Sequence, residues 1–295
     1  MNRKLINGID IPGIGMGTFP LKGKVLTKAI IAATGCGYRA FDTAKAYGNE
    51  KDLGNSLKKA YQINQINRSD VFITSKIGEN LDHGIPDGKL FYTRNPDEKN
   101  DIFGIVSDQL TEILNNLQTN YLDLLLIHWP FPDCFVEIWK AMEIEFRKGR
   151  ARAIGVSNFR ERHIQKLINC GLIIPMVNQI QFNPLNTQIE LLDYCRELNI
   201  QVQAYSPLLV MNSKLMDSPI LKQLIKKYNK TAPQIILRWN IEHGVIPIPK
   251  SSNPNRLKEN IDIFDFELSR EDTRELDLLN ENFTSLIESR YCPGY

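Results

Sequence analysis

The sequence is short of the residues that build disulfide frameworks and zinc sites. Its five cysteines are an odd number, and they are scattered without a CxxC pair or a neighbouring histidine. The chain holds four histidines in all. A disulfide-stapled domain and a structural zinc site both need a denser pattern than this. We therefore expect reduced thiols, several of them in the core, and no bound metal.

Long hydrophobic runs and an excess of one charge are also missing. No stretch reaches the length of about 18 apolar residues that a membrane span needs, and Asn7 and Asp10 interrupt the apolar run that a signal peptide would need. The 36 basic and 34 acidic side chains leave a net charge of +2, which gives no general attraction to nucleic acid or membrane surfaces. We expect a cytoplasmic monomer with neither kind of partner.

What the sequence does contain is a regular alternation of two patterns. A hairpin with Asn7 and Gly8 at its turn opens the chain. After it, short apolar runs alternate with longer segments whose apolar residues recur at i, i+3 and i+4, as on one face of a helix. The apolar runs cover residues 13–19, 38–44, 71–77, 122–129, 151–159, 176–182, 200–208 and 245–251.

Strands that are apolar on both faces and alternate with helices predict a parallel sheet covered by helices. Such a sheet is either doubly wound or closed into a barrel. Eight units in 295 residues, with no Pro/Gly/Ser-rich linker between them, favour the closed form. The predicted fold is an α/β protein, a (β/α)8 TIM barrel in one domain over 1–295, with an N-terminal β-hairpin and long loops on the C-terminal face.

Catalytic groups of such barrels lie at the carboxyl ends of the strands. Asp42 lies near the end of the second run, Tyr47 follows five positions later, Lys76 lies near the end of the third run, and His128 lies near the end of the fourth. Neighbouring strands are about 5 Å apart. We therefore expect these four side chains to meet in one small volume.

The residue types indicate what such a volume does. An adjacent ammonium such as Lys76 lowers the pKa of a phenol, and Asp42 can pair with that ammonium. A neutral His128 can orient a carbonyl oxygen by a hydrogen bond. Together these groups suit proton delivery to an oxygen that is becoming an alkoxide, so carbonyl reduction fits if a hydride source is present. Taken singly, each residue is more commonly a rim charge or a packing residue.

Eight segments of the chain resemble the successive signature motifs of the aldo-keto reductase family, in the same order. The resemblance extends from residue 13 to residue 260, nearly the whole chain. The segments are GIGMGTF, FDTAKAYGNE, ITSKI, LLIHWP, AIGVSNF, VNQIQFNP, AYSPL and IPKSSNPNRLKEN.

This resemblance implies a barrel that uses NADP(H), without metal, to reduce an aldehyde or ketone to an alcohol. Tyr47 matches the family's general acid, Lys76 and Asp42 the residues that tune it, and His128 the residue that orients the substrate carbonyl. The family's contacts to nicotinamide and pyrophosphate match Thr18, Ser157, Asn158, Gln179, Tyr205, Ser206 and Leu208.

The phosphate end of the cofactor can be argued from charge as well. Lys250, Ser251 and Arg256 lie around a helix expected to start near Pro254, where free N–H groups and the helix dipole favour an anion. Such a set suits a 2′-phosphate better than a bare ribose, so NADP is preferred over NAD. The family's adenine contacts match Glu259 and Asn260.

The glycines Gly13, Gly15 and Gly17 need a separate explanation. They are evenly spaced, and so they lack the G-x-G-x-x-G spacing of a Rossmann fingerprint. We interpret them as room for close backbone approach at the end of the first strand.

The substrate side departs from the family pattern. Phe19 and Trp129 match pocket-lining aromatics, but the loop over 78–104 is longer than usual and Gln181 replaces a common glutamate. A long loop on the catalytic face of a barrel is commonly functional. We expect it to shape the pocket mouth, with the side chains His83, Phe91 and Tyr92 facing the substrate.

Three other functions are compatible with parts of the pattern. A metal-dependent barrel hydrolase needs several strand-end histidines, and only His128 ends a strand. A Schiff-base lyase could use Lys76 or Lys250, but it gives no reason for the set of residues that matches the nicotinamide contacts. A catalytically weak, NADPH-binding regulatory subunit on the same barrel remains the alternative.

Overall fold

The centre of the computed structural model is a parallel sheet of eight strands that follow one another in chain order. The structure describes residues 2–78, 101–131, 134–209 and 212–284. Each strand pairs in parallel with the next along the chain. The strands are β3 (Met16–Gly17), β4 (Ala40–Asp42), β5 (Phe72–Ile77), β6 (Leu124–Ile127), β7 (Ile154–Ser157), β8 (Val177–Gln181), β9 (Gln201–Tyr205) and β10 (Ile246–Pro247).

Two backbone hydrogen bonds join the first strand of the sheet to the last and close the barrel. The N–H of Gly15 donates to the carbonyl of Pro247 at 3.0 Å, and that of Gly17 to Pro249 at 3.1 Å. Prolines have no N–H to return, so the glycines supply both donors. A Cβ at Gly15 would lie 2.8 Å from the Ile248 side chain. A Cβ at Gly17 would lie 3.1 Å from the backbone oxygen of Ile248, so the expected close backbone approach is found at Gly17, whereas the near neighbour of Gly15 is a side chain. The predicted barrel is confirmed.

Helices cover the outside of the barrel, one after each of the strands β3 to β8. Within the described residues, three helices lie between β9 and β10 and two follow β10, where the alternating pattern predicts a single helix after each strand. The helices are α1 (Gly23–Gly35), α2 (Glu50–Asn64), α3 (Ile102–Leu117), α4 (Phe135–Arg147), α5 (Glu161–Asn169), α6 (Ile189–Glu197), α7 (Ser213–Met216), α8 (Pro219–Tyr228), α9 (Ala232–Glu242), α10 (Pro254–Ile261) and α11 (Arg270–Asp277).

The expected N-terminal hairpin is present, with β1 (Asn2–Lys4) antiparallel to β2 (Asp10–Pro12). Its turn contains Gly8 at a φ of 83°, a left-handed conformation that glycine adopts without steric cost. A cavity of about 630 Å³ lies between the hairpin and the amino-terminal ends of the strands. That cavity is at the opposite end of the barrel from the strand-end residues singled out by sequence.

Helix α2 shows how local sequence positions the site. Leu53, Leu57 and Ala60 recur at helical spacing and are buried, so this face packs against the barrel. The helix begins at Glu50, three residues after Tyr47, with two acidic residues in its first turn, where the helix dipole favours negative charge. The packing of α2 therefore bears directly on where Tyr47 lies.

Part of the long loop after β5 lies outside the described residues, including His83, Phe91 and Tyr92. Helix α3 begins at Ile102, and the Asp101 carboxylate caps it by accepting from the N–H of Gly104 at 3.0 Å. The last residues of the expected loop over 78–104 are therefore helical. No helix within the described ranges has the length and apolar character to cross a membrane.

Candidate active site

The four residues expected to meet do lie together at the carboxyl ends of the strands. Asp42 is the last residue of β4, Lys76 lies in β5, His128 follows β6, and Tyr47 lies on a 3₁₀ turn after β4. The Nζ atom of Lys76 lies 2.6 Å from Asp42 Oδ1 and 3.3 Å from the Tyr47 hydroxyl oxygen. The rings of Tyr47 and His128 are 5.9 Å apart between centroids. The predicted proximity is observed.

Lys76 and Asp42 form a buried ion pair, with 1% and 4% of their surfaces exposed. The ammonium also donates to the backbone oxygen of Thr43 at 2.9 Å. An ammonium has only donors, so the Tyr47 oxygen accepts from Lys76 and its own hydrogen is directed to a different acceptor. This arrangement places a positive charge on the side of the phenol that faces the barrel interior.

Aromatic rings flank the Tyr47 and His128 pair. The Phe19 ring lies 5.1 Å from that of Tyr47, and Phe19 is 58% exposed. The Trp129 ring is stacked 6.5 Å from that of His128 and is buried. Both predicted substrate residues thus border the phenol or the imidazole, and their contact with a substrate stays a prediction.

Gln179 connects the ion pair to the next strands. Its Nε2 atom donates to Asp42 Oδ2 at 2.8 Å and to Gln203 Oε1 at 3.2 Å. Both amide hydrogens are used within the protein, so Gln179 can act toward a ligand only as an acceptor. Gln203 was missed by sequence reasoning. Its signal is a polar residue that stands between the buried Val202 and Ala204 in β9.

Asn158 ties the ends of four strands together. Its Nδ2 atom donates to the His128 carbonyl at 3.0 Å and to Ser157 Oγ at 3.2 Å. Its Oδ1 atom accepts from the Tyr205 hydroxyl at 2.9 Å, and Ser157 Oγ donates to the Gln179 carbonyl at 2.9 Å. Asn158 has a φ of 63°, which asparagine tolerates better than most residues. The expected nicotinamide residues are therefore brought together.

Three further predicted cofactor contacts lie at the same end of the barrel. Thr18 is fully buried, and its hydroxyl donates to the Asp42 carbonyl at 2.9 Å. Ser206 directly follows β9 at a φ of 47°, and Leu208 is half-buried against the core. Thr18 therefore supports the backbone beside the ion pair, and contact of all three with a cofactor stays a prediction.

The phosphate-end residues gather around the start of α10, which begins at Pro254 as expected. The first helix N–H groups are not free, however. The side chain of Asn253 accepts from the N–H of Asn255 at 2.9 Å and from that of Arg256 at 3.3 Å. Asparagine is a preferred N-cap, and this pairing was overlooked in the sequence. The expected free donors at these two positions were therefore wrong.

The side chains of the same segment divide by exposure. Lys250 and Arg256 are exposed, Glu259 is half-buried, and Ser251 and Asn260 are buried. The Ser251 hydroxyl accepts from the N–H of Asn253 at 3.1 Å, which shapes the turn before the helix. The two cations remain the groups of this segment that suit a phosphate.

A sequence model of the aldo/keto reductase family matches residues 13–281. The chain belongs to this family. A glyoxal reductase of Bacillus subtilis is 41% identical over 280 residues, which cover 95% of this chain and 92% of that protein. A methylglyoxal reductase of Escherichia coli is 37% identical over 281 residues, which cover 94% and 93%.

Solved structures of aldo-keto reductases share the fold. The crystal structure of a Bombyx mori aldo-keto reductase in complex with NADP matches with a TM-score of 0.85 at 33% identity, covering 99% of this chain and 96% of that one. One from Brucella melitensis matches with a TM-score of 0.82 at 37% identity, covering 95% and 99%. The eight-motif resemblance and the barrel are thereby confirmed.

Proposed function

We propose that this aldo-keto reductase uses NADPH to reduce an aldehyde or ketone to an alcohol, with Tyr47 as the general acid. The observation that carries the proposal is the ammonium of Lys76, which is held by Asp42 and donates to the Tyr47 oxygen at 3.3 Å at the barrel mouth. No step of this proposal needs a metal.

The residues present fit the nucleotide. Ser157, Asn158 and Gln179 offer amide and hydroxyl groups at adjoining strand ends, and the Tyr205 ring is held at the next strand end by its hydrogen bond to Asn158. When bound, NADPH supplies the hydride. The remaining residues proposed to hold it are Thr18, Ser206, Leu208, Lys250, Ser251, Arg256, Glu259 and Asn260.

The protein's own groups account for the proton. Tyr47 delivers its phenolic hydrogen to the carbonyl oxygen, and the nearby charge of Lys76 stabilises the phenolate that remains. Asp42 keeps the ammonium in place and lowers the cost of burying it. His128, beside the phenol, orients the same oxygen by a hydrogen bond.

Small 2-oxoaldehydes are the substrate class that we favour. Relatives at 41% and 37% identity are a glyoxal reductase and a methylglyoxal reductase. Phe19 and Trp129 give the mouth beside Tyr47 apolar walls, which suit a small, uncharged carbonyl compound more than a charged one. The single domain, the monomeric state and the cytoplasmic location stay predictions.

The test is NADPH oxidation by the purified protein with glyoxal, methylglyoxal, simple aldehydes, ketones and ketoses. We expect turnover, highest with the 2-oxoaldehydes. Tyr47→Phe should abolish turnover because it removes only the proton donor, while NADPH affinity measured by fluorescence stays within about threefold of wild type. Tight NADPH binding without turnover on any carbonyl would support the regulatory-subunit alternative. Loss of binding with residual turnover would refute the assignment of Tyr47.

A further inference from the structure

The turn that carries Tyr47 is only half-buried, and the side chain of Lys45 joins it to Glu112 of α3. Asp42 and Lys76 lie on strands, but Tyr47 lies on a 3₁₀ turn (Lys45–Tyr47) in which no side chain is buried. Gly48 follows with a left-handed φ of 58°, and α2 begins two residues later. The residues that flank the turn attach it to the barrel on both sides.

Asn49 attaches the turn to two neighbouring segments. It is 1% exposed, and its Oδ1 accepts from the Thr43 hydroxyl at 2.7 Å. Its Nδ2 donates to the carbonyl of Leu21 at 2.9 Å and to Thr18 Oγ1 at 3.2 Å. Thr43 is also the residue whose carbonyl accepts from Lys76. Asn49 thus links the turn to the backbone that surrounds the ammonium.

Glu50 attaches the other side of the turn to β5. It is 4% exposed, and its Oε1 accepts from the Ser75 hydroxyl at 2.5 Å. Ser75 precedes Lys76, and because successive residues of a strand point to opposite faces, Ser75 faces α2 while Lys76 faces the barrel interior. Glu50 therefore joins the first residue of α2 to the strand that carries the ammonium.

The surroundings of Glu50 favour a neutral carboxyl. Burial raises its pKa above the ordinary value, and the hydrogen bond from Ser75 and the charge of Lys45 oppose that shift. Two side chains of α3 also affect this pKa. A hydrogen bond with Asn116 lowers it, and the charge of Glu112 raises it. Burying a carboxyl group is costly unless it is hydrogen-bonded, and the Ser75 hydroxyl supplies that bond.

We infer that Asn49 and Glu50 are positioning residues for catalysis, which hold the Tyr47 turn between the β3–β4 side and β5 so that the phenol meets Lys76. This inference rests on the proposed function of Tyr47. We expect both side chains to act through the placement of the phenol. Their effect is on its distance from the ammonium, and a displacement of about 1 Å can lower a rate about 100-fold.

The test compares Asn49→Ala and Glu50→Ala with Asn64→Ala as the matched control. Asn64 lies at the other end of the same helix, and its Nδ2 bonds the Ile31 carbonyl at 3.0 Å and the Thr34 hydroxyl at 2.7 Å. We expect kcat to fall about 100-fold in the first two variants, with NADPH affinity within about threefold of wild type. The control should lose similar thermal stability and keep its kcat.

A conservative variant separates position from charge. Glu50→Gln retains an oxygen that accepts from Ser75, so it should restore kcat to within about threefold of wild type. If either alanine variant fails to fold, Ser75→Ala and Thr43→Val cut the same two links with smaller changes, and the same fall in kcat is expected. Unchanged kcat in the folded variants, with only a lower melting temperature, would overturn the inference.

Amide hydrogen exchange of the ligand-free protein gives a readout that does not depend on turnover. The N–H of Tyr47 donates to the Ala44 carbonyl at 3.0 Å and that of Gly48 to Lys45 at 3.1 Å. Exchange at both should speed up in Asn49→Ala and Glu50→Ala and stay unchanged in Asn64→Ala. Unchanged exchange in all three would refute the positioning role even if the wild-type enzyme is active, whereas an inactive wild type with faster exchange would refute the proposed function instead.

Discussion

The Nζ atom of Lys76 lies within hydrogen-bonding distance of the Tyr47 oxygen, at 3.3 Å, while Asp42 holds the same ammonium at 2.6 Å. The phenol oxygen therefore accepts a hydrogen bond from the barrel interior, and its own hydrogen is directed to a different acceptor. Because the ammonium is buried, its charge acts on the nearby phenol oxygen with little screening by solvent. Asp42 compensates the cost of burying that charge.

Breaking this ion pair should destabilise the protein strongly. We expect Lys76→Met to lower the free energy of unfolding by about 3–5 kcal/mol, because it leaves the Asp42 carboxylate buried without its cation. Adding Asp42→Asn should recover part of the loss. Urea unfolding of the two single variants and the double variant measures the coupling free energy between the two side chains. The control is Lys222→Met, in an exposed pair with Asp217, which should lower the free energy of unfolding by less than about 1 kcal/mol. Additive losses would contradict a coupled buried pair.

Arg256→Ala should weaken NADPH far more than NADH. A guanidinium paired with the 2′-phosphate contributes about 1.5–3 kcal/mol, or roughly 10- to 100-fold in Kd, and NADH has no such phosphate. Fluorescence titration with both nucleotides gives the ratio directly. Lys258→Ala, an exposed cation on the same helix, is the matched control and should leave the ratio unchanged. An equal loss of affinity for both nucleotides would contradict a contact between Arg256 and the 2′-phosphate.

Gln181→Glu should loosen the C-terminal segment from the catalytic face. The Nε2 atom of Gln181 donates to the carbonyl of Phe283 at 2.8 Å. A carboxylate at position 181 would place two hydrogen-bond acceptors opposite each other with no hydrogen between them. Glu281 and Phe283 both donate their N–H to the Leu185 carbonyl, at 3.1 and 2.9 Å. We expect faster hydrogen exchange at these two amides, with about 1–3 kcal/mol of local stability lost. The exposed Gln165→Glu serves as the control, and equal exchange in both variants would rule out this attachment.

Acid should destabilise the protein through His163. Burial, with the nearby charges of Arg162, Arg160 and Lys166, lowers the pKa of His163 from 6.5 to about 4. The folded state therefore holds a neutral ring that the unfolded chain protonates below about pH 6.5. The free energy of unfolding is therefore unaffected by this ring above about pH 6.5 and decreases as the pH falls toward 4. Urea unfolding across this range should show a steeper fall for wild type than for His163→Asn, and parallel curves would contradict it.

The barrel could be predicted because the spacing of apolar residues within each strand and helix indicates which of its faces is buried. Each of the eight apolar runs contains one of the eight strands, even β10, where Pro247 and Pro249 leave few donors for pairing. The strands are parallel and follow one another in chain order, so their carboxyl ends all lie at one end of the barrel. This is why Asp42, Lys76 and His128 could be placed together before any distance was known.

Individual hydrogen bonds were much less predictable. Asn49 and Glu50 stand in the same motif as Tyr47, yet nothing in the motif shows that one bonds Thr43 and the other Ser75. Asn253 was within reach of prediction, because an asparagine directly before a proline at a helix start is a common cap. Its consequence, two occupied N–H groups where free ones were expected, follows from that cap.

The sequence by itself determined the barrel, the order of its strands and the set of polar residues at its mouth, since hydrophobic period and strand ends are properties of short segments. Only the tertiary structure decided which of those polar groups bond one another. Asp42 and Gln179 are 137 positions apart and meet at 2.8 Å because curling the sheet brings the ends of distant strands across one mouth. Such distances depend on the exact geometry of the closed barrel, which a local pattern does not give.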